Sequence, residues 1–229
     1  PTPYAPGSSA FDPPVGGMTP CARPLRGPKA PERRGSTMPA MYQLRWWIGG
    51  LVARLVTLVM FRDVEVTGSA APAGPRLVVA NHFGGLVDAI VVVRALGGLP
   101  HIVAKSTLFK RLPLRILLRI LGVVPVYRRS DHSDMSKNTS SFDEVAKALG
   151  RGRTVLIFPE GTVTDTQELQ RVRTGAARMA VRAIETGTTG LGIVPVGITY
   201  EDKVSTRSRV LVEIGERIEA TKRGKVFAE

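Results

Sequence analysis

From residue 63 the chain alternates short runs of Val, Ile and Leu with longer stretches whose apolar residues recur every three or four positions. The short runs are DVEVTG, RLVVAN, HIVAK, VVPVYR, TVLIFPE, GIVPVGITY and RVLVEIG. They are rich in β-branched residues and bounded by Gly, Pro and charge, which predicts strands. The stretches between them predict helices over about 86–97, 107–121, 141–149 and 174–186. Ser141 with Glu144 fits a capping box, and Gly150 and Gly187 fit helix stops. Such alternation predicts a single α/β domain whose largely parallel or mixed sheet is flanked by helices. The central runs are apolar without alternation, as strands covered on both faces are.

Two segments are more apolar than a soluble helix needs to be. Residues 42–61, YQLRWWIGGLVARLVTLVMF, are apolar nearly all round, with Arg54 in the middle. The uninterrupted part falls short of the roughly 20 apolar residues that span a bilayer. The pattern favours a helix lying in or dipping into a membrane, with Trp46 and Trp47 at the headgroup level; a helix packed on the domain is the other reading. This assigns 41–62 as a membrane-associated helix ahead of a domain over 63–229. The segment 107–121, TLFKRLPLRILLRIL, sets Arg111, Arg115 and Arg119 four residues apart on one face among Leu and Ile. That is the composition of an interfacial helix, against a core helix with a solvated basic edge.

Charge sharpens the choice of partner. The net charge of +13 implies something anionic. Only 6% of residues are aromatic and no zinc-finger, RNP or basic-zipper pattern occurs, so no nucleic acid is expected. Basic residues set among leucines suit a membrane surface with anionic lipids. The lone Cys21 forbids an internal disulfide and fits a reducing compartment, and with only His82, His101 and His132 no metal site is expected. Residues 1–40 hold ten of the seventeen prolines and read as a disordered tail or mis-joined upstream sequence, with Met38 and Met41 as candidate starts. The closing KVFAE reads as a cut before the natural C-terminus.

The candidate chemistry starts at ANHFGGLVDA, residues 80–89. His82 directly follows an apolar strand, at the edge where α/β domains place reactive groups. Asp88 lies six residues on, which on one continuous helix would turn it to another face. The two meet only if His82 precedes the helix and Gly84-Gly85 folds it back. An aspartate on one imidazole nitrogen would fix the tautomer and leave the other as a base. The chain has no Gly-x-Ser-x-Gly elbow for that base to activate, so the hydroxyl would belong to the substrate. Three weaker signals follow: the turn Phe158-Pro-Glu-Gly161, the strand end GVVPVYRR with Arg128 and Arg129 suited to phosphate, and the apolar VPVGI.

In this order, NHFGGLVD, GVVPVYR, FPEG and VPVGI resemble the four blocks of the phospholipid/glycerol acyltransferase family, which includes glycerol-3-phosphate and lysophosphatidate acyltransferases. The resemblance runs from about 42 to 219. Five residues separate His82 from Asp88 where the commonest family spacing leaves four, which resembles a branch of fungal glycerol-3-phosphate acyltransferases and related bacterial proteins. That branch often continues its glutamate block with Ser-His-Asp; here Thr162-Val-Thr-Asp165 stands instead. The resemblance implies transfer of a fatty acyl group from acyl-CoA or acyl carrier protein, as cosubstrate and with no cofactor, to a hydroxyl of lysophosphatidate. Glycerol-3-phosphate and other lysophospholipids are alternative acceptors, and a noncatalytic membrane-binding homologue is the alternative of another class. It implies His82 as general base, oriented by Asp88, with Arg128, Glu160, Gly161, Thr162 and Arg173 at the acceptor, and it places the protein on the cytoplasmic face of a membrane.

Overall fold

The computed structural model describes residues 40–69, 74–127, 138–161, 170–202 and 207–220. The proline-rich stretch and the C-terminal end lie outside the described residues. In chain order the elements are α1 (Ala40–Met60), β1 (Asp63–Gly68), β2 (Arg76–Ala80), α2 (Leu86–Leu96), β3 (His101–Lys105), a 3-10 helix (Ser106–Lys110), α3 (Leu112–Ile120), β4 (Val123–Val126), α4 (Asn138–Gly150), β5 (Thr154–Ile157), α5 (Gly175–Glu185), β6 (Gly192–Tyr200), β7 (Arg209–Ile214) and β8 (Ile218–Glu219). All seven expected strands form. The two-residue β8 is an addition, too short to carry a period.

The strands make one mixed, mostly parallel sheet in the order β1-β7-β6-β2-β5-β3-β4, with β8 also on β6. β2 is central, paired in parallel with β5 on one side and β6 on the other. Among the described residues only the β6–β7 and β6–β8 pairs are antiparallel. Leu77 and Val78 of β2 are each 0% exposed although they point to opposite faces. On one face Val78 and Ala80 join Val91 and Val92 of α2; on the other Leu77 joins Val145 and Leu149 of α4 and Met179 and Ala183 of α5. Burial on both faces is why these strands read as continuous apolar runs.

Helix α1 has two different sides. Tyr42, Ala53 and Thr57 are buried on the inner one. Gly49 and Gly50 lie so close to Leu99 and Gly97 that neither has room for a Cβ. The outer side exposes Leu44, Trp47, Ile48, Leu51, Leu55 and Leu58. Trp46 departs from the expectation of a headgroup position. It falls on the inward stripe one turn from Tyr42 and packs against Gly98, so of the two tryptophans Trp47 is the outward one. Among the described residues no helix is long and apolar enough to cross a membrane.

The expected helix over 107–121 is broken. A 3-10 turn ends at Arg111, which is extended at φ −89° and ψ 125°, and α3 begins after it with Pro113 in its first turn. Proline lacks the N–H that a helix interior needs and is tolerated only at such a start. No residue of α3 is buried. Leu112, Ile116, Leu117 and Ile120 are exposed beside Arg115 and Arg119.

Helix α4 already runs at Asn138, so Ser141, expected as a cap, is a buried helical residue. The Asn138 side chain accepts from Tyr127 N–H at 2.9 Å and donates to Tyr127 C=O at 2.8 Å.

Candidate active site at the end of the central strand

β2 ends at Ala80 and α2 starts at Leu86. The intervening turn performs the fold-back that the His-to-Asp spacing demands. His82 Nδ1 lies 2.9 Å from Asp88 Oδ2. The two glycines make this possible for different reasons. Gly85 has φ 68° and ψ −121°, a region closed to side chains. Gly84 donates its N–H to Asp88 Oδ2 at 2.8 Å, and a Cβ there would stand 2.8 Å from Asp88 Oδ1.

Asp88 is fully buried. A carboxylate only accepts, so the imidazole N–H is at Nδ1 and the Nε2 lone pair is left available. Among the described residues nothing bonds to Nε2, and the His82 side chain keeps 15% of its surface exposed. Phe158 stacks on the ring, with centroids 4.3 Å apart and planes 20° from parallel. The arrangement holds one nitrogen and offers the other.

β5 brings up the second wall. Glu160, 1% exposed, accepts from the His82 backbone N–H through Oε1 at 3.2 Å. Its Oε2 is buried without a partner among the described residues. Gly161 turns the chain at φ 68°, its N–H reaching Phe158 C=O at 3.2 Å. Arg173 closes this turn from beyond: its backbone N–H meets Pro159 C=O and its Nε meets Glu160 C=O, both at 3.0 Å. Its guanidinium is exposed at the same sheet edge. Arg173 also borders an apolar cavity of about 360 Å³ on the α5 face, lined by Leu77, Val79, Ile193, Val172 and Ala176. The structure therefore brings together His82, Asp88, Glu160, Gly161 and Arg173. Arg128 and Thr162 lie outside the described residues.

Two site residues escape the sequence reading. Tyr200, the last residue of β6, donates its hydroxyl to Asp88 Oδ1 at 2.6 Å. Asn81 donates from Nδ2 to Ile198 C=O at 2.9 Å and accepts from Ile198 N–H at 2.7 Å, clipping the ends of β2 and β6 together. A tyrosine in an apolar strand is a signal in itself, because a buried phenol needs a partner for its hydroxyl.

His101 stands apart from this site, at the start of β3. It is buried, stacks on Tyr42 with centroids 5.9 Å apart, and lies 3.2 Å from Arg45 and 3.4 Å from a guanidinium nitrogen of Arg153. Burial first, then the charges of Arg45, Arg153 and Arg151, push its pKa down to about 3. It is a neutral ring in a basic wall and has no access to the turn at His82. Among the described residues no three His, Cys, Asp or Glu side chains gather as a metal site would require.

Fold and site together define a class: a mostly parallel α/β protein with a buried-aspartate–histidine pair at the C-terminal end of its central strand. A family model for acyltransferases matches residues 63–199, and the chain belongs to that family. It is 33% identical over 162 residues to a lyso-ornithine lipid O-acyltransferase of Pseudomonas aeruginosa, covering 68% of this chain and 53% of that one. It is 25% identical over 160 residues to a 1-acyl-sn-glycerol-3-phosphate acyltransferase of Borreliella burgdorferi, covering 69% and 56%. The chain thus spans about half the length of these curated relatives. Its fold is similar to that of the 1-acyl-sn-glycerophosphate acyltransferase of Thermotoga maritima, with a TM-score of 0.57, 21% identity, and coverage of 76% of this chain and 68% of that one.

Proposed function

We propose that this protein is a membrane-associated O-acyltransferase of phospholipid biosynthesis. It moves a fatty acyl group from a thioester, acyl-CoA or acyl carrier protein, to the free hydroxyl of lysophosphatidate. The observation that carries the reading is the 2.9 Å contact between His82 Nδ1 and a buried Asp88, with Nε2 left open.

In this reading the acceptor hydroxyl approaches His82 Nε2. As its oxygen bonds to the thioester carbonyl carbon, the proton passes to Nε2 and the carbonyl oxygen becomes an oxyanion. Collapse of the tetrahedral intermediate breaks the carbon–sulfur bond. The leaving thiolate takes the proton back from the imidazolium, giving ester and thiol. Asp88 stays ionised throughout and stabilises the transient positive ring. Arg128 and Arg173 would bind the acceptor phosphate, where a planar guanidinium forks onto two oxygens. Glu160, Gly161 and Thr162 would shape the acceptor site, with the unpartnered Glu160 Oε2 able to accept from a glycerol hydroxyl.

The outer side of α1 and the exposed Leu, Ile and Arg of α3 support membrane attachment, since an apolar surface set beside cations suits an anionic bilayer at its cytoplasmic face. A second acceptor is favoured by a specific likeness, the 33% identity to a lyso-ornithine lipid enzyme.

The test is acyl transfer from radiolabelled acyl-CoA and acyl carrier protein to lysophosphatidate, glycerol-3-phosphate and lyso-ornithine lipid. The expected result is transfer to lysophosphatidate that His82→Ala abolishes. Absence of transfer to every acceptor would overturn the reading in favour of a noncatalytic membrane-binding homologue.

A further inference from the structure

Asp88 holds more than the histidine. It is 0% exposed, and its two oxygens take three donors: His82 Nδ1 and the Gly84 N–H on Oδ2, and the Tyr200 hydroxyl on Oδ1. Tyr200 arrives from 112 residues further along the chain. It is buried at 4% exposure, and its ring rests on Phe61 with centroids 5.9 Å apart. Burial first, then the charge of Asp88, then their hydrogen bond raise the phenol far above its usual range, so it remains a donor wherever the enzyme works. Asn81 sets its height, because the clip onto Ile198 fixes the β6 residue two places before it.

A buried carboxylate with one fewer donor must rotate or gather its charge on the donors that remain. For Asp88 the remaining side-chain donor is His82. More charge facing Nδ1 favours the imidazolium, and rotation swings the ring that presents Nε2.

We propose that Tyr200 is a positioning residue for His82, acting through Asp88. Its hydroxyl fixes the rotation of the carboxylate and shares its charge, so the imidazole is oriented without being held in its protonated form. The inference rests on the reading of His82 as general base.

The variant is Tyr200→Phe in the full chain, assayed on vesicles of phosphatidylcholine and phosphatidylglycerol, with the His82 ring titrated by nitrogen NMR. The expected result is a kcat about tenfold lower with KM within about twofold. The acidic limb of the pH–rate profile and the His82 titration should both move to higher pH. An acidic limb and a His82 titration identical to the unsubstituted chain would overturn the proposal, whatever happens to stability, and leave Tyr200 a packing residue.

The two readings fail separately. If the unsubstituted chain transfers no acyl group, the general-base reading falls, while the NMR titration still decides whether Tyr200 acts on His82. Should Tyr200→Phe not fold, the Tyr200 Cζ resonance is followed in the unsubstituted chain as His82 titrates. A shift in step with the histidine supports the coupling, and a resonance blind to it overturns it.

Discussion

Gly84 gives up its side chain to Asp88: a carbon at its Cβ position would lie 2.8 Å from Oδ1 and 3.2 Å from the Tyr200 hydroxyl. Neither atom can give way without disturbing the other, since both belong to buried residues bonded to each other. Gly84→Ala should therefore displace the carboxylate rather than unfold the domain. A catalytic group misplaced by about 1 Å costs on the order of a hundredfold in kcat/KM. Gly85→Ala should act differently. With φ at 68° and ψ at −121° it strains the backbone, at about 1–3 kcal/mol of stability. Kinetics and thermal melts on both variants separate the two effects.

Asp88→Asn keeps the shape of the site and reverses part of its polarity. The amide oxygen can stay on Nδ1–H and the Gly84 N–H only if the amide nitrogen faces the Tyr200 hydroxyl, which must then turn and accept, and the negative charge beside the imidazole is gone. The expected loss in kcat is about 10⁴-fold, the scale known for this substitution in a serine-protease triad. Circular dichroism should remain that of the native sheet. Activity within tenfold of the unsubstituted chain would contradict an orienting role.

Glu160 illustrates stability given up at a site. One of its oxygens is buried without a partner among the described residues. Glu160→Gln keeps the bond from the His82 N–H through Oε1 and removes a buried carboxylate oxygen that has no partner among the described residues. We expect the melting temperature to rise by about 2–4 °C, roughly 1 kcal/mol. Acceptor KM should rise as well. A melting temperature that falls would mean that Glu160 is fully compensated in the free protein.

His101 predicts an acid limb in stability that has no counterpart in chemistry. Its folded pKa of about 3 lies below the ordinary value of 6.5. The unfolded chain therefore binds the proton more readily, and stability from this group is complete above pH 6.5, falls as pH drops and levels off below about 3. His101→Gln should flatten that part of a urea-midpoint-against-pH curve and leave activity near neutral pH unchanged. Other groups contribute to the curve, so the difference between the two proteins is what counts.

Arg115 and Arg119 test the surface. Reversing both, Arg115→Glu with Arg119→Glu, should reduce partitioning onto vesicles rich in phosphatidylglycerol by at least about tenfold, at roughly 1 kcal/mol per charge. Binding to uncharged vesicles, resting on the apolar side of α1, should change little. Vesicle sedimentation at two salt concentrations distinguishes the electrostatic part.

The sheet was legible because its strands are covered on both sides. Continuous runs such as RLVV and TVLI have few other ways to be buried. The pairing of His82 with Asp88 was legible for a complementary reason, since six residues on a continuous helix cannot place the two together and the glycines could be read as a turn. What local pattern could not supply was contact at long range. Tyr200 and Ile198 reach the site from the far end of the chain, and nothing near His82 in sequence points to either. Ser141 also carries a well-formed capping signal and yet lies inside α4, which already runs at Asn138. The break at Arg111 was visible in Pro113 but hidden by the regular spacing of arginines.

The clip between Asn81 and Ile198 makes β6 a ruler with its zero mark at Asn81. A peptide group offers one donor and one acceptor per residue, and successive side chains change faces. Lengthening the turn from α5 into β6 leaves the mark in place. Inserting a single residue between Ile193 and Gly197 does not: it would set Thr199 where Tyr200 now stands and send the tyrosine to the opposite face. Tolerance to insertion along this strand should therefore change abruptly at its first residues, and a scan of single-residue insertions would read the ruler directly.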